Sequence, residues 1–151
     1  MSMTKEVVIL IAEDDDGHAR LIEKNLSRAG LHNRIERFCN GQQILDFLTR
    51  PGNAVVPNGE LAYLLLLDIR MPQVDGVEVL RRIKDDPDLR KMPVIMLTTT
   101  DDPREVERCH RLGCSTYIVK PVIYEKFAEA IKHLGLFISL VQVPQLGTRS
   151  E

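Results

Sequence analysis

No stretch of this sequence approaches the roughly 20 consecutive apolar residues that a membrane span needs. The apolar run at residues 7–12 is too short for a signal-peptide core and leads straight into acids. A CxxC pair is missing too: Cys39, Cys109 and Cys114 make an odd count of three, a usage that suits a reducing compartment. These absences point to the cytoplasm and exclude a membrane-embedded or disulfide-stapled protein. Charge of one sign is also lacking. With a net charge of −2, the chain has no general electrostatic reason to bind nucleic acid. Internal repeats and low-complexity tracts do not occur, which removes solenoid arrays. No helix-turn-helix pattern and no second core follow the main one, so direct control of DNA has no reading element.

What is present is a single domain's worth of alternating segments. At 151 residues and 44% hydrophobic, the chain is long enough to bury a real core. Residues 7–12 read as a buried strand, and residues 17–29 follow with Ala19, Leu21, Ile22 and Leu26 at helical spacing before the helix stop Gly30. A weaker strand at 34–38 and a short helix at 42–48 precede a loop at 50–61 that is rich in Pro, Gly and Asn. Residues 64–67 are four leucines in a row. Such an unbroken run reads as a strand buried on both faces, as in a parallel sheet. A helix is expected over 75–85 and a strand over 94–97. Pro103, with Asp101 and Asp102 before it as candidate caps, opens another helix that ends at Gly113. A strand at 116–119 and a helix from 123 to about 141 complete five β–α units. That order implies a three-layer α/β sandwich on a parallel sheet, with both doubly wound strand orders open from pattern alone.

The polar residues gather at the strand ends. The first strand runs into Glu13, Asp14, Asp15 and Asp16, the third ends at Asp68, the fourth at Thr98, Thr99 and Thr100, and the fifth at Lys120 and Pro121. In a parallel sheet these ends share one rim, where open α/β sheets bind ligands. Three carboxylates placed together repel unless a cation neutralises them, and a hard oxygen-seeking ion, Mg²⁺ above all, meets that need. Lys120 adds a compact charge suited to a phosphate oxygen, and a threonine hydroxyl can donate to another. Together these parts would hold a phosphoryl group over a carboxylate nucleophile, Asp68.

On these residues the sequence resembles the response-regulator receiver family. Glu13-Asp14 looks like its acidic pair, Asp68 like its phosphoacceptor, and Met71 to Gly76 like the stretch that follows. Thr98 matches the hydroxyl position, Tyr117 the aromatic switch and Lys120-Pro121 the lysine with its proline. The match covers about residues 5–143, leaving 144–151 as a tail of a single receiver domain, 1–151. The resemblance implies a flavodoxin-like fold of strand order 2-1-3-4-5. It implies Asp14 and Asp68 as direct Mg²⁺ ligands, Glu13 as a ligand through water and the backbone carbonyl of Arg70 as another. Thr98 and Lys120 would contact the phosphate, and Arg70 and Thr100 would tune its lifetime. Loops at 50–61 and 84–89, the run Leu97 to Thr100 and the ending Val141 to Pro144 resemble stand-alone receivers paired with bacterial phytochromes. The expected partner is therefore a sensor histidine kinase of the phytochrome kind. The chain would support only its own phosphorylation and dephosphorylation, and the alternative role is to pass phosphate to a histidine phosphotransfer protein. Glu13 stands where the family often has aspartate, and Thr99 where a smaller residue is common.

Other readings were open for each residue alone. Glu13 to Asp16 could be a helix N-terminus favoured by the macrodipole, Lys120 a surface residue, Thr98 strand filler and Tyr117 core. A haloacid-dehalogenase-like phosphohydrolase needs a second aspartate two residues past the nucleophile, and Arg70 stands there. A constitutive binding module would not need the full set. Cys109, His110 and Cys114 have helical spacing and lack a fourth ligand, which favours a packed helix face over a metal site. His18, His32 and His133 receive no role. In the last helix Ile123, Tyr124, Phe127, Ile131, Leu134, Ile138 and Val141 form a core stripe. Leu136, Phe137 and Leu140 add apolar surface beside it, the expected seam of a homodimer.

Overall fold

A parallel five-stranded sheet forms the frame, in the order β2-β1-β3-β4-β5. The computed structural model describes residues 6–28, 30–50, 61–99, 102–120 and 123–133. The elements alternate as β1 (Glu6–Ala12), α1 (Asp16–Arg28), β2 (Ile35–Phe38), α2 (Gly41–Thr49), β3 (Leu61–Asp68), α3 (Gly76–Asp85), β4 (Val94–Thr98), α4 (Pro103–Leu112), β5 (Thr116–Val119) and α5 (Tyr124–His133). This is the flavodoxin-like order, one of the two that the pattern allowed.

Successive strand residues point to opposite faces, and the core divides accordingly. Val8, Leu10, Leu65, Leu67, Val94 and Met96 pack with residues of α2, α3 and α4 on one face. Ile9, Ile11, Leu64, Leu66, Ile95 and Leu97 pack with α1 and Ala130 of α5 on the other. Strands sandwiched this way have no polar face, which explains the leucine run.

Local chemistry sets the helix ends. Asp15 Oδ1 accepts from the His18 amide at 2.8 Å, Asn40 caps α2 through Gln43, and Asp75 caps α3 through Glu78. Asp102 caps α4 with Pro103 in the first turn, and Gly113 ends it in the left-handed region at φ 106°, where a β-carbon would be strained.

Two expectations need correction. The third strand begins at Leu61 rather than Leu64, because β1 extends back to Glu6 and pairs Glu6, Val7 and Val8 with Leu61, Ala62 and Tyr63. Ile123 is not in the core stripe: it precedes α5 and is 43% exposed. Of the acids that follow Asp14, Asp15 is a helix cap and Asp16 pairs with Arg37. The expected seam residues Leu136, Phe137 and Leu140, together with Thr100 and Pro121, lie outside the described residues. No helix among the described residues is long and apolar enough to cross a membrane.

Candidate functional site

Strand register brings the rim together. Ala12 pairs with Leu67 across β1 and β3, Asp68 with Leu97 across β3 and β4, and Thr98 with Val119 across β4 and β5. Each of those strands therefore ends at the same height. Glu13 and Asp14 follow β1, Asp68 and Thr98 are terminal strand residues, and Lys120 follows β5.

Three of these side chains sit deep. Glu13 is fully buried, Asp68 is 3% exposed and Thr98 is 1% exposed. Asp14 is exposed at the mouth. Oxygen atoms of Glu13, Asp14 and Asp68 lie within 4.8 Å of one another. The Lys120 ammonium lies 2.7 Å from Glu13 Oε1 and 3.2 Å from Asp68 Oδ1. Burial, and next the neighbouring Glu13 charge, push the Asp68 carboxyl up to about 6, while Lys120 pulls it back.

The donor set suits a hard divalent ion. It is all oxygen, two of the three carboxylates are sheltered, and the atoms are close enough to share one centre. Glu13 Oε1 meets the ammonium only as an ion contact, and among the described residues it accepts no hydrogen bond. A buried acceptor left in that condition still has lone pairs for a further donor. Beside this pocket an open groove of about 520 Å³ is lined by Asp14, Arg70, Met71, Asp75, Glu105 and Arg108. Arg70 itself is exposed.

Backbone packing fixes Asp68 as firmly as its strand does. The Gly76 amide donates to Ile69 O at 2.7 Å, and a β-carbon built on Gly76 would lie 2.1 Å from Asp68 O. Only glycine lets α3 start so close beneath the carboxylate. Between them the Val74 amide bonds Pro72 O at 2.9 Å around Gln73, whose φ of 72° is left-handed. The Lys120 amide bonds Thr98 O at 2.5 Å, which ties the hydroxyl position and the lysine through the main chain. Tyr117 is half-buried against the core, its ring edge-on to His110 at 6.2 Å.

Two residues with no predicted role join the site. Arg37 of β2 donates to the Glu13 carbonyl from Nε at 3.1 Å and Nη2 at 2.8 Å, and its Nη1 pairs with Asp16 at 2.5 Å. The Asp16 contact above all raises the Arg37 pKa further. His18 Nδ1 lies 3.1 Å from Lys120 Nζ. Arg37 had a faint signal, a cation in the strand that pairs beside the acidic run. His18 had none beyond its place in the first turn of α1, because the contact spans 102 positions of sequence. Cys109 and Cys114 are buried core residues. They form no metal-type cluster with His110 among the described residues.

Known proteins resemble the chain in sequence and fold. The model of the response regulator receiver domain matches residues 9–132. Response regulator Rcp1 of Synechocystis is 34% identical over 116 residues, covering 75% of this chain and 76% of its own length. Its solved Mn²⁺-bound form aligns at a TM-score of 0.69 with 28% identity, over 95% of this chain and 96% of that one. A solved response regulator receiver domain from Rhodospirillum rubrum is 48% identical with a TM-score of 0.74, over 91% and 96% of the two chains. The bacteriophytochrome response regulator RtBRR is 33% identical with a TM-score of 0.73, over 87% and 79%. By sequence, strand order and the acids at its sheet rim, this chain belongs to the response regulator receiver domain family.

Proposed function

We propose that the chain is a single receiver domain that accepts a phosphoryl group on Asp68 from a histidine kinase of the phytochrome kind. The observation that carries this reading is the buried Asp68 carboxylate, within 3.2 Å of Lys120 and grouped with Glu13 and Asp14. The likeness to Rcp1 and to a bacteriophytochrome response regulator supports the choice of kinase.

In this reading one Asp68 oxygen attacks the phosphorus of a phosphoimidazole. The P–N bond breaks as the P–O bond forms, and its electron pair returns to the imidazole nitrogen. Lys120 neutralises charge spread over the equatorial oxygens, and the Thr98 hydroxyl donates to one of them. Asp14 and Asp68 directly, Glu13 through water and the Arg70 carbonyl would hold Mg²⁺, which when bound adds neutralising charge at the transferred group. Thr98 is drawn to the phosphate and Tyr117 turns inward behind it, biasing a two-state surface around α4, β5 and α5. The chain acts in the cytoplasm through contacts with partners, and it catalyses only its own phosphorylation and dephosphorylation. Two copies pair through Leu136, Phe137 and Leu140.

The test is intact mass after incubation with Mg²⁺ and acetyl phosphate. The expected result is an adduct of about 80 Da, the mass of one phosphoryl group, on the parent and none on Asp68→Asn. Equal adducts on both would remove Asp68 from the mechanism.

A further inference from the structure

The Lys120 ammonium has three N–H donors and no acceptor. Glu13 Oε1 at 2.7 Å and Asp68 Oδ1 at 3.2 Å draw it by charge, and a third contact runs to His18 Nδ1 at 3.1 Å. Because lysine can only donate, the ring nitrogen must accept. A ring that accepts there carries its proton on Nε2. The same Nδ1 lies 3.7 Å from Glu13 Oε2 and 3.8 Å from Asp15 Oδ1, beyond hydrogen-bond reach. The His18 ring thus hydrogen-bonds the lysine, while the acids around it stand at ion-pair distance.

The rest of the site keeps the ring there. The His18 amide donates to Asp15 Oδ1 at 2.8 Å, so the cap that starts α1 also fixes the backbone beneath the imidazole. Asp15 is anchored in turn by its own amide, which donates to Glu13 Oε2 at 3.1 Å. The helix start, the buried acid and the ring form one small frame around an ammonium only 5% exposed.

We propose that His18 is a positioning residue for phosphoryl acceptance, holding the Lys120 ammonium over Asp68 and releasing that N–H to a phosphoryl oxygen as transfer proceeds. A neutral acceptor suits the task. A hydrogen bond to an anionic oxygen is roughly twice as strong as one to a neutral nitrogen, so the incoming group displaces His18 readily. This inference rests on Asp68 as acceptor, and it adds a residue to that site.

The experiment compares the parent with His18→Ala and His18→Asn in the full chain. Asn keeps an oxygen acceptor where the ring has Nδ1, and Ala removes it. His18 is 42% exposed, and matching amide spectra establish that each variant folds. The first readout needs neither metal nor phosphate: the ¹H–¹⁵N signal of the Lys120 ammonium, assigned by its loss in Lys120→Arg. The second is the initial rate of adduct formation from acetyl phosphate.

The ammonium signal is expected to be sharp in the parent and in His18→Asn, and exchange-broadened or lost in His18→Ala. The adduct rate is expected to fall about three- to tenfold in Ala, as for a lost hydrogen bond worth about 1 kcal/mol, and to recover in Asn. An unchanged ammonium signal in His18→Ala overturns the proposal, as does a loss in Asn equal to that in Ala. If the parent forms no adduct, the acceptor reading of Asp68 fails, and the ammonium signal alone then decides whether His18 anchors Lys120.

Discussion

Asp68 is a residue whose burial makes it a burden to the fold. Its carboxyl is pushed up to about 6 from 3.8, so the folded chain holds that proton over a range where the unfolded chain has released it. Stability from this group is therefore greatest at low pH and falls as pH rises between about 4 and 6. Asp68→Asn should be more stable than the parent at pH 7.5 without metal, by about 1–2 kcal/mol. The gap should close near pH 4, as denaturant titration at the two pH values would register. Thr98→Ala makes a different kind of change. Acetyl phosphate with Mg²⁺ should still load Asp68 within about threefold of the parent rate, one donor among several being lost. The ring resonances of Tyr117, which should move in the parent on loading, should stay at rest in this variant. A parent-sized shift there would break the proposed link from Thr98 to Tyr117. At this scale Asp68, Lys120, Thr98, Glu13 and Asp14 were all legible, because each stands at the end of an apolar run. His18 and Arg37 were not, because only the folded sheet brings them to the rim.

Elements meet the site through close approaches that leave no tolerance. With Asp68 O 2.1 Å and Ile69 Cα 2.8 Å from the place of a Gly76 β-carbon, Gly76→Ala forces α3 away from β3. That should cost about 2–3 kcal/mol and lower the thermal midpoint by roughly 5–10 °C. The β1–α1 turn depends on β2 in a similar way. Arg37→Ala removes two donors from the Glu13 carbonyl without touching an acid of the pocket. Mg²⁺ affinity measured by calorimetry should fall roughly tenfold, as for other supporting contacts around metal ligands, while circular dichroism stays unchanged. An unaltered affinity would mean that the turn keeps its shape alone. Element positions followed from the sequence wherever apolar period and caps agreed, as at Asp75, Pro103 and Gly113. β3 was placed too short because Leu61 to Tyr63 follow a Pro- and Gly-rich loop, and only their pairing with β1 makes them strand.

The whole molecule has its two core layers divided by strand parity, α1 and α5 on one face and α2, α3 and α4 on the other. That division was readable from the leucine run, whereas the strand order was not: crossovers leave little trace in local pattern. The family resemblance supplied it. At this scale the proposed pairing of two copies is tested by sedimentation at micromolar concentration. The expected species is a dimer, and Phe137→Asp should convert it to monomer by burying a charge in the seam. A monomer in every state of the parent would dispose of it. The ion contacts of Lys120 with Glu13 and Asp68 have a consequence for the protein in the cell. The folded chain brings its own counter-ion to these acids, so part of their repulsion is met without a divalent ion. If the proposed function holds, a cell starved of magnesium would keep its stock of this protein intact, deaf to its kinase, and ready to answer once the ion returned.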